Sequence, residues 1–171
     1  MTRSEQPLFT AAQIRARVGE LAAALSRELR GQDVVALIVL KGALHFGSDL
    51  VRAMTVPMAL DFVQARSYQG TASMGKIEML GKPTQDLSGK HVLIIEDILD
   101  TGVTARALID FVEISGARGV TFCALFDKPA HRKISVKADH LGFTVPDVFI
   151  VGYGMDHEEC YRELPDVYTL G

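Results

Sequence analysis

Three acids, Glu96, Asp97 and Asp100, lie within one short stretch, and Thr101-Gly102-Val103-Thr104 follows them directly. Ahead of them Val92 to Ile95 is continuously apolar, the pattern of a strand buried on both faces, and behind them a helical pattern begins at Thr104. A strand of that kind delivers its last residues to the C-terminal edge of an open α/β sheet, the edge at which ligands bind. Backbone N–H groups of a tight turn, with the positive end of the helix it opens, form a cradle for phosphate. Gly102 allows close approach of the backbone, and Thr101 and Thr104 add hydroxyl donors. Three acids beside a phosphate repel it unless they face hydroxyls, a cation or a proton to be moved. A sugar phosphate with Mg²⁺ meets all three demands: carboxylates accept from ribose hydroxyls, hold Mg²⁺ or its waters, and act as a base. Asp97 or Asp100 alone would read as a turn former or helix cap. The whole string in strand–turn–helix context favours chemistry.

The elements that must position these acids follow from the pattern. Thr10 and Gln13 form a capping box, with Phe9 and Ile14 as a staple, for a helix running to Gly31. Val34 to Leu40 is a strand buried on both faces, and Leu44 to Met54 a short helix. Met58 to Val63 is the next strand, Ser67 to Gly75 a loop without apolar period, and Lys76 to Leu80 a strand beyond it, so that the loop forms a hinged flap. Thr104 to Ser115 is helical with an apolar stripe of Ala107, Leu108, Phe111, Val112 and Ile114. Val120 to Phe126, Val148 to Val151 and Val167 to Leu170 complete the strands. Strands alternating with helices predict a single α/β domain over residues 1–171 with a largely parallel sheet.

Composition bounds the function. The chain has 171 residues, 48% hydrophobic and 23% charged, with a net charge of −3. That balance argues against coating nucleic acid or an anionic membrane, since backbone binding needs clustered Lys and Arg. The longest apolar run, Val34 to Leu40, is too short to span a bilayer, and Met1 to Pro7 is too polar for a secretory signal. Cys123 and Cys160 have no metal-type spacing and point to free thiols in a reducing cytoplasm. Gly152-Tyr153-Gly154 is only part of a dinucleotide fingerprint, with His157 at the third glycine's place, and the histidines form no zinc pair. Lys128, His131, Arg132 and Lys133 read as a small solvated turn.

Glu96 to Thr104 matches the phosphoribosyl pyrophosphate motif of the type I phosphoribosyltransferases. Leu40-Lys41-Gly42-Ala43, Arg66-Ser67-Tyr68, Asp127-Lys128-Pro129, Pro146 to Asp156 and Tyr161 to Pro165 narrow the resemblance to the short bacterial type of hypoxanthine-guanine phosphoribosyltransferases. The matching segments occur in the family's order from Leu40 to Leu170. The resemblance implies a central sheet flanked by helices, a small hood and a flexible active-site loop. It implies transfer of the 5-phosphoribosyl group to hypoxanthine or guanine, with Mg²⁺ as cofactor, and a homodimer or homotetramer.

Residue by residue, it makes Asp100 the base and gives the ribose hydroxyls to Glu96 and Asp97. Thr101, Gly102, Val103 and Thr104 take the 5′-phosphate. The pyrophosphate falls to Lys41 and Gly42, with a cis peptide before the glycine, and to Ser67, Tyr68 and Arg162. Lys128 donates to the oxygen at purine position six, Phe149 packs on the ring, and the main chain of Ile150 meets the base edge. Asp156 joins Glu96 and Asp97 as a ligand of Mg²⁺ or its waters. By residue type alone, Lys41 and Lys128 would be solvated strand ends, Phe149 core, Ser67-Tyr68 ordinary surface and Arg162 half of a surface salt bridge. Two positions depart from the commonest family wording: Ala43 stands where a second glycine or serine is frequent, and His157 where an aromatic residue is usual. A preference for xanthine, and a nucleotide-sensing regulator built on the same domain, are the alternatives.

Overall fold

The capping box forms as the sequence dictates: the Thr10 hydroxyl accepts from the Gln13 backbone N–H, and Gln13 Oε1 accepts from the Thr10 backbone N–H at 2.8 Å. It opens α1 (Ala11–Glu28) in the computed structural model, which describes residues 2–67 and 77–171. The helix ends before Gly31, which adopts the left-handed conformation in the turn beyond it. Then follow β1 (Val34–Leu40), α2 (Leu44–Ala53), β2 (Met58–Ser67), β3 (Ile77–Gly81), β4 (His91–Leu99), α3 (Val103–Ile114) and β5 (Gly119–Asp127). A short 3-10 turn, Pro129–His131, leads to β6 (His140–Thr144), β7 (Phe149–Val151) and β8 (Tyr168–Leu170).

The main sheet has the order β3-β2-β1-β4-β5-β6. All its pairings are parallel except that of β3 with β2, which returns antiparallel. β1 lies at the centre, and its continuous apolar run is used on both faces. Val34, Ala36 and Ile38 join the core under α1 and α2, while Val35, Leu37 and Val39 join the core under α3. This is the three-layer arrangement that a doubly covered parallel sheet requires. β7 and β8 form a separate antiparallel pair, the hood over the sheet's C-terminal edge.

Several boundaries differ from expectation, each for a physical reason. β4 runs through Glu96, Asp97 and Ile98 to Leu99, because ladder pairing with β5 continues past the apolar run. β2 extends to Ser67 by pairing with β3. β6 was not anticipated: it holds only two apolar residues around Gly142, whose missing Cβ lets the strand lie against the Leu125 backbone. Arg17 of α1 covers the outer strand by donating to the Leu141 and Gly142 carbonyls at 2.8 and 2.9 Å. On α3 the buried stripe is Ala105, Leu108 and Val112, whereas Ile114, in the last turn, is 86% exposed. The expected flap falls almost wholly outside the described residues, Tyr68 with it.

Candidate active site

β1, β4 and β5 end together at one edge, and each ending contributes a chemically useful residue. β4 supplies Glu96 and Asp97 within its last pairs and Asp100 just beyond. β1 hands over to Lys41-Gly42, and β5 to Lys128. Two adjoining cavities open here and share Asp97, Ile98 and Asp100 as their common wall. One, of about 290 Å³, is floored by Glu96 and Gly42 and closed by Thr101, Gly102 and Thr104. The other, of about 200 Å³, is lined by Lys128, Phe149, Ile150, Met155 and Asp156. The acid string therefore divides a phosphate-type cradle from a flat, partly apolar slot.

The cradle is built by close approach. Gly102 has φ +84°, which a glycine adopts without penalty, and a Cβ there would stand 2.6 Å from the Ile134 carbonyl oxygen. The Thr101 carbonyl accepts from the backbone N–H groups of Lys133 and Ile134 at 2.9 and 3.1 Å, bracing the turn from behind. Gly42 is fixed by space rather than dihedral: a Cβ on it would overlap the Asp97 carboxylate, and one on Gly154 would overlap the Gly42 carbonyl. The cis peptide lies between Leu40 and Lys41, one bond before the Lys41-Gly42 link.

Electrostatically the site is unbalanced toward acid. Glu96 is buried, its Oε2 has no hydrogen-bond partner, and burial with the neighbouring Asp97 charge pushes its carboxyl well above the usual range. Burial raises Asp97 as well, opposed by its hydrogen bonds to Glu96 and to the backbone and by the Arg162 charge. Asp100 Oδ1 is also buried without a hydrogen bond. Buried polar atoms left unpaired in a folded protein call for an explanation, and a catalytic role or a bound ion or water supplies one.

The expected cations are present but engaged with protein. Lys128 is buried, not solvated, at 8% exposure. Its Nζ donates to the Val148 carbonyl at 3.0 Å and lies 3.2 Å from Asp147 Oδ1. Lys41 Nζ meets Glu159 at 3.0 Å, and Arg162 meets Asp156 at 2.8 Å and the same Glu159 at 3.4 Å. Arg162 also donates to the Gly154 carbonyl at 2.7 Å, while its Nε is buried and unpaired. Phe149, which residue type alone assigned to the core, is 45% exposed on the slot's rim, with His157 edge-on at 5.5 Å. Ile150 beside it is buried. Ser67 closes β2, and Tyr68 lies outside the described residues.

Three participants escaped the sequence. Glu159 carries no motif that separates it from ordinary surface acids, and Asp147 stands within the Pro146 to Asp156 segment that resembles the family but receives no role from it. His131 belongs to the turn read as solvated, yet its ring lies between two carboxylates, 3.1 Å from Asp100 and 2.7 Å from Asp147. Arg132 in that turn is likewise engaged, paired with Asp127 and donating to the Leu99 carbonyl. Among the described residues no three His, Cys, Asp or Glu side chains form a metal cage, so Asp156 does not close a cluster with Glu96 and Asp97.

Comparison with known proteins agrees with this geometry. A family model described as a phosphoribosyl transferase domain matches residues 8–158. The hypoxanthine-guanine phosphoribosyltransferase of Bacillus subtilis (strain 168) is 38% identical over 97% of this chain and 93% of its own. That of Streptococcus pneumoniae (strain ATCC BAA-255 / R6) is 40% identical over 88% and 84%. A crystal structure of a hypoxanthine phosphoribosyltransferase from Staphylococcus aureus superimposes with a TM-score of 0.94 at 35% identity, covering 98% of this chain and 91% of that one.

Proposed function

The chain belongs to the phosphoribosyl transferase family, and from that premise we infer that it is a purine salvage enzyme. It transfers the 5-phosphoribosyl group of phosphoribosyl pyrophosphate to hypoxanthine or guanine, giving IMP or GMP and pyrophosphate. The observation that carries this reading is the shared acid wall. Asp97 and Asp100 face a phosphate cradle on one side and, on the other, a slot containing a buried lysine and an exposed ring.

The residues take these roles. The backbone and hydroxyls of Thr101 to Thr104 hold the 5′-phosphate and so fix the sugar. Glu96 and Asp97 accept from the ribose hydroxyls. The bond from the anomeric carbon to the pyrophosphate oxygen breaks as the bond to purine N9 forms. Asp100 takes the proton from N7. Lys41, Gly42, Ser67, Tyr68 and Arg162 receive the pyrophosphate through charge-assisted and backbone hydrogen bonds. Phe149 supports the flat face of the base and the Ile150 main chain its edge. Lys128 donates to the oxygen at position six. Adenine places an amino group there, and two donors facing each other at the buried Lys128 reject it.

The donor set fits Mg²⁺. Glu96 Oε2 is a buried carboxylate oxygen without a partner beside a second acid, and no all-protein cage exists among the described residues. Mg²⁺ is ordinarily held by one or two carboxylates with the remaining positions taken by water and substrate oxygens. Glu96 and Asp97 would hold it, with Asp156 reaching a second ion through water once Arg162 turns to pyrophosphate. When bound it neutralises charge on the departing group. Assembly into a homodimer or homotetramer is proposed on the resemblance alone.

Pyrophosphate release, measured with phosphoribosyl pyrophosphate, Mg²⁺ and hypoxanthine, guanine, xanthine or adenine in turn, tests the reading. Turnover with oxopurines and none with adenine is the expected outcome, and their ranking tests hypoxanthine and guanine against xanthine. Absence of release with every base overturns it in favour of a nucleotide-sensing domain.

A further inference from the structure

His131 stands outside every role given above, yet it touches the residue assigned as the proton acceptor. Its Nδ1 lies 3.1 Å from Asp100 Oδ1 and its Nε2 2.7 Å from Asp147 Oδ1. The same Asp147 oxygen lies 3.2 Å from Lys128 Nζ, which also donates to the Val148 carbonyl at 3.0 Å. The ring is carried by the 3-10 turn Pro129–His131, whose N–H at His131 donates to the Lys128 carbonyl, so lysine and imidazole are borne by one short turn. Four side chains thus form a continuous chain, Lys128–Asp147–His131–Asp100, around one wall of the slot. Arg132, next along, is taken by Asp127 and the Leu99 carbonyl and does not compete for either acid.

We propose that His131 is a positioning residue for the transfer reaction, tying the proton acceptor Asp100 to the base-reading Lys128 through Asp147. The inference rests on the salvage reading above. Asp100 Oδ1 is buried and has no aligned hydrogen bond, so His131 Nδ1 is a close neighbour awaiting alignment. Catalytic hydrogen bonds of this kind are often loose without substrate and tighten in the complex. A carboxylate free to rotate presents either oxygen, or neither, to the N7 proton. One held on one oxygen by an imidazole N–H presents the other. On the opposite side, Nε2–H, which an imidazolium carries together with Nδ1–H, donates to the Asp147 oxygen that also faces the ammonium, and so sets where Lys128 waits for the base. An oxopurine that draws Lys128 forward shifts Asp147, and through the imidazole shifts Asp100. Recognition at position six and proton removal at N7 are coupled within the protein.

The two ring nitrogens can be tested separately, because an asparagine amide reaches the place of Nδ1 and a glutamine amide the place of Nε2. With the full chain and Mg²⁺, each substrate varied in turn against a saturating level of the other, His131→Ala lowers kcat roughly tenfold and raises KM for the base a few-fold, leaving KM for phosphoribosyl pyrophosphate unmoved. H131N restores kcat and leaves the base KM raised, whereas H131Q restores the base KM and leaves kcat low. A role confined to folding would move all three constants together. Three variants with wild-type constants, or Asn and Gln variants indistinguishable from each other, overturn the proposal. Independently of turnover, ¹⁵N resonances of the His131 ring in the ligand-free chain shift in both D100N and D147N. Resonances unmoved by either overturn the bridge. If the unmodified chain releases no pyrophosphate with any base, the salvage reading falls, and these resonances decide the bridge on their own.

Discussion

Asp61 and Glu96 are buried carboxylates on β2 and β4, with β1 between them, and their environments are opposite. Asp61 accepts from the backbone N–H groups of Phe62, Thr84 and Gln85 at 2.8, 2.6 and 2.7 Å, and from the Thr84 hydroxyl at 3.2 Å. Burial alone would raise its pKa, but these donors outweigh it and hold the carboxyl below the usual range. Glu96 has an unpartnered oxygen and a second acid next to it, and its carboxyl is pushed up. One acid is satisfied by the fold and pins the segment after β3 to β2. The other is left for a ligand to satisfy. Partner count, more than burial or residue type, separates the acid that stabilises the structure from the acid that serves chemistry.

The largest effect that can break this contrast is at Asp100, which like Glu96 has a buried oxygen without a hydrogen bond among the described residues. Asp100→Asn keeps size and removes the base, so kcat falls by about 10²–10⁴-fold. KM for phosphoribosyl pyrophosphate and the melting temperature stay close to wild type, because the amide keeps the carboxyl's shape and an oxygen that can accept from His131 Nδ1. A melting temperature several degrees lower, with turnover intact, would place Asp100 in Asp61's class. Lys128 comes next. Lys128→Met removes a charged donor to the base and leaves Asp147 to His131 alone, so kcat/KM with guanine falls by about 10–100-fold. Discrimination against adenine narrows in the same variant, measured as the ratio of the two kcat/KM values.

Asp61→Asn acts on stability and leaves chemistry in place. Replacing an ionised acceptor of three N–H groups weakens charge-assisted hydrogen bonds, a loss of about 2 kcal/mol and roughly 4–8 °C in melting temperature. The sign with pH follows from the depressed folded-state pKa. The carboxylate's stabilisation is complete above the ordinary aspartate range and disappears as pH falls through the folded-state value. The gap between variant and wild type is therefore full at pH 7 and shrinks below about pH 4. A gap that stays constant from pH 7 to pH 3 would mean that packing, and not ionisation, makes Asp61 valuable.

The same contrast explains what was legible in the sequence. Glu96 to Thr104 is contiguous, and its strand–turn–helix context follows from local periodicity, so both element and chemistry could be read. β1 was legible because seven apolar residues in succession have only one economical use in a domain of this size. β6 was not, since Gly142 matters through its contact with Leu125, which no local pattern encodes. The cation side depends on residues distant in the chain: Lys41 meets Glu159, and Asp100 meets His131. Family resemblance supplied Lys41, Lys128 and Arg162, but Asp147, Glu159 and His131 have meaning only as partners. A lone histidine in a basic turn gives no sign of the two carboxylates it will face.

The smallest predicted effect is at one of those partners. Glu159 lies between Lys41 and Arg162 at 3.0 and 3.4 Å, and its carboxyl is held low by the hydrogen bond from Lys41, against weak desolvation, and by the Arg162 charge. It sits on an exposed turn, where Glu158 and Glu159 both have positive φ. An anionic side chain between two cations occupies electrostatically what pyrophosphate is proposed to occupy, and it must yield when pyrophosphate arrives. Because the pair is solvent-exposed, its strength is modest and screened by salt. Glu159→Gln therefore tightens pyrophosphate binding by roughly two- to five-fold at low ionic strength, read as product inhibition, and the difference fades as salt is raised. Slower release of pyrophosphate accompanies it, so kcat falls slightly wherever release limits turnover. Weaker pyrophosphate binding in this variant would show instead that Glu159 holds Lys41 and Arg162 in their receiving positions, and would move it from the acids that yield to those, like Asp61, that hold.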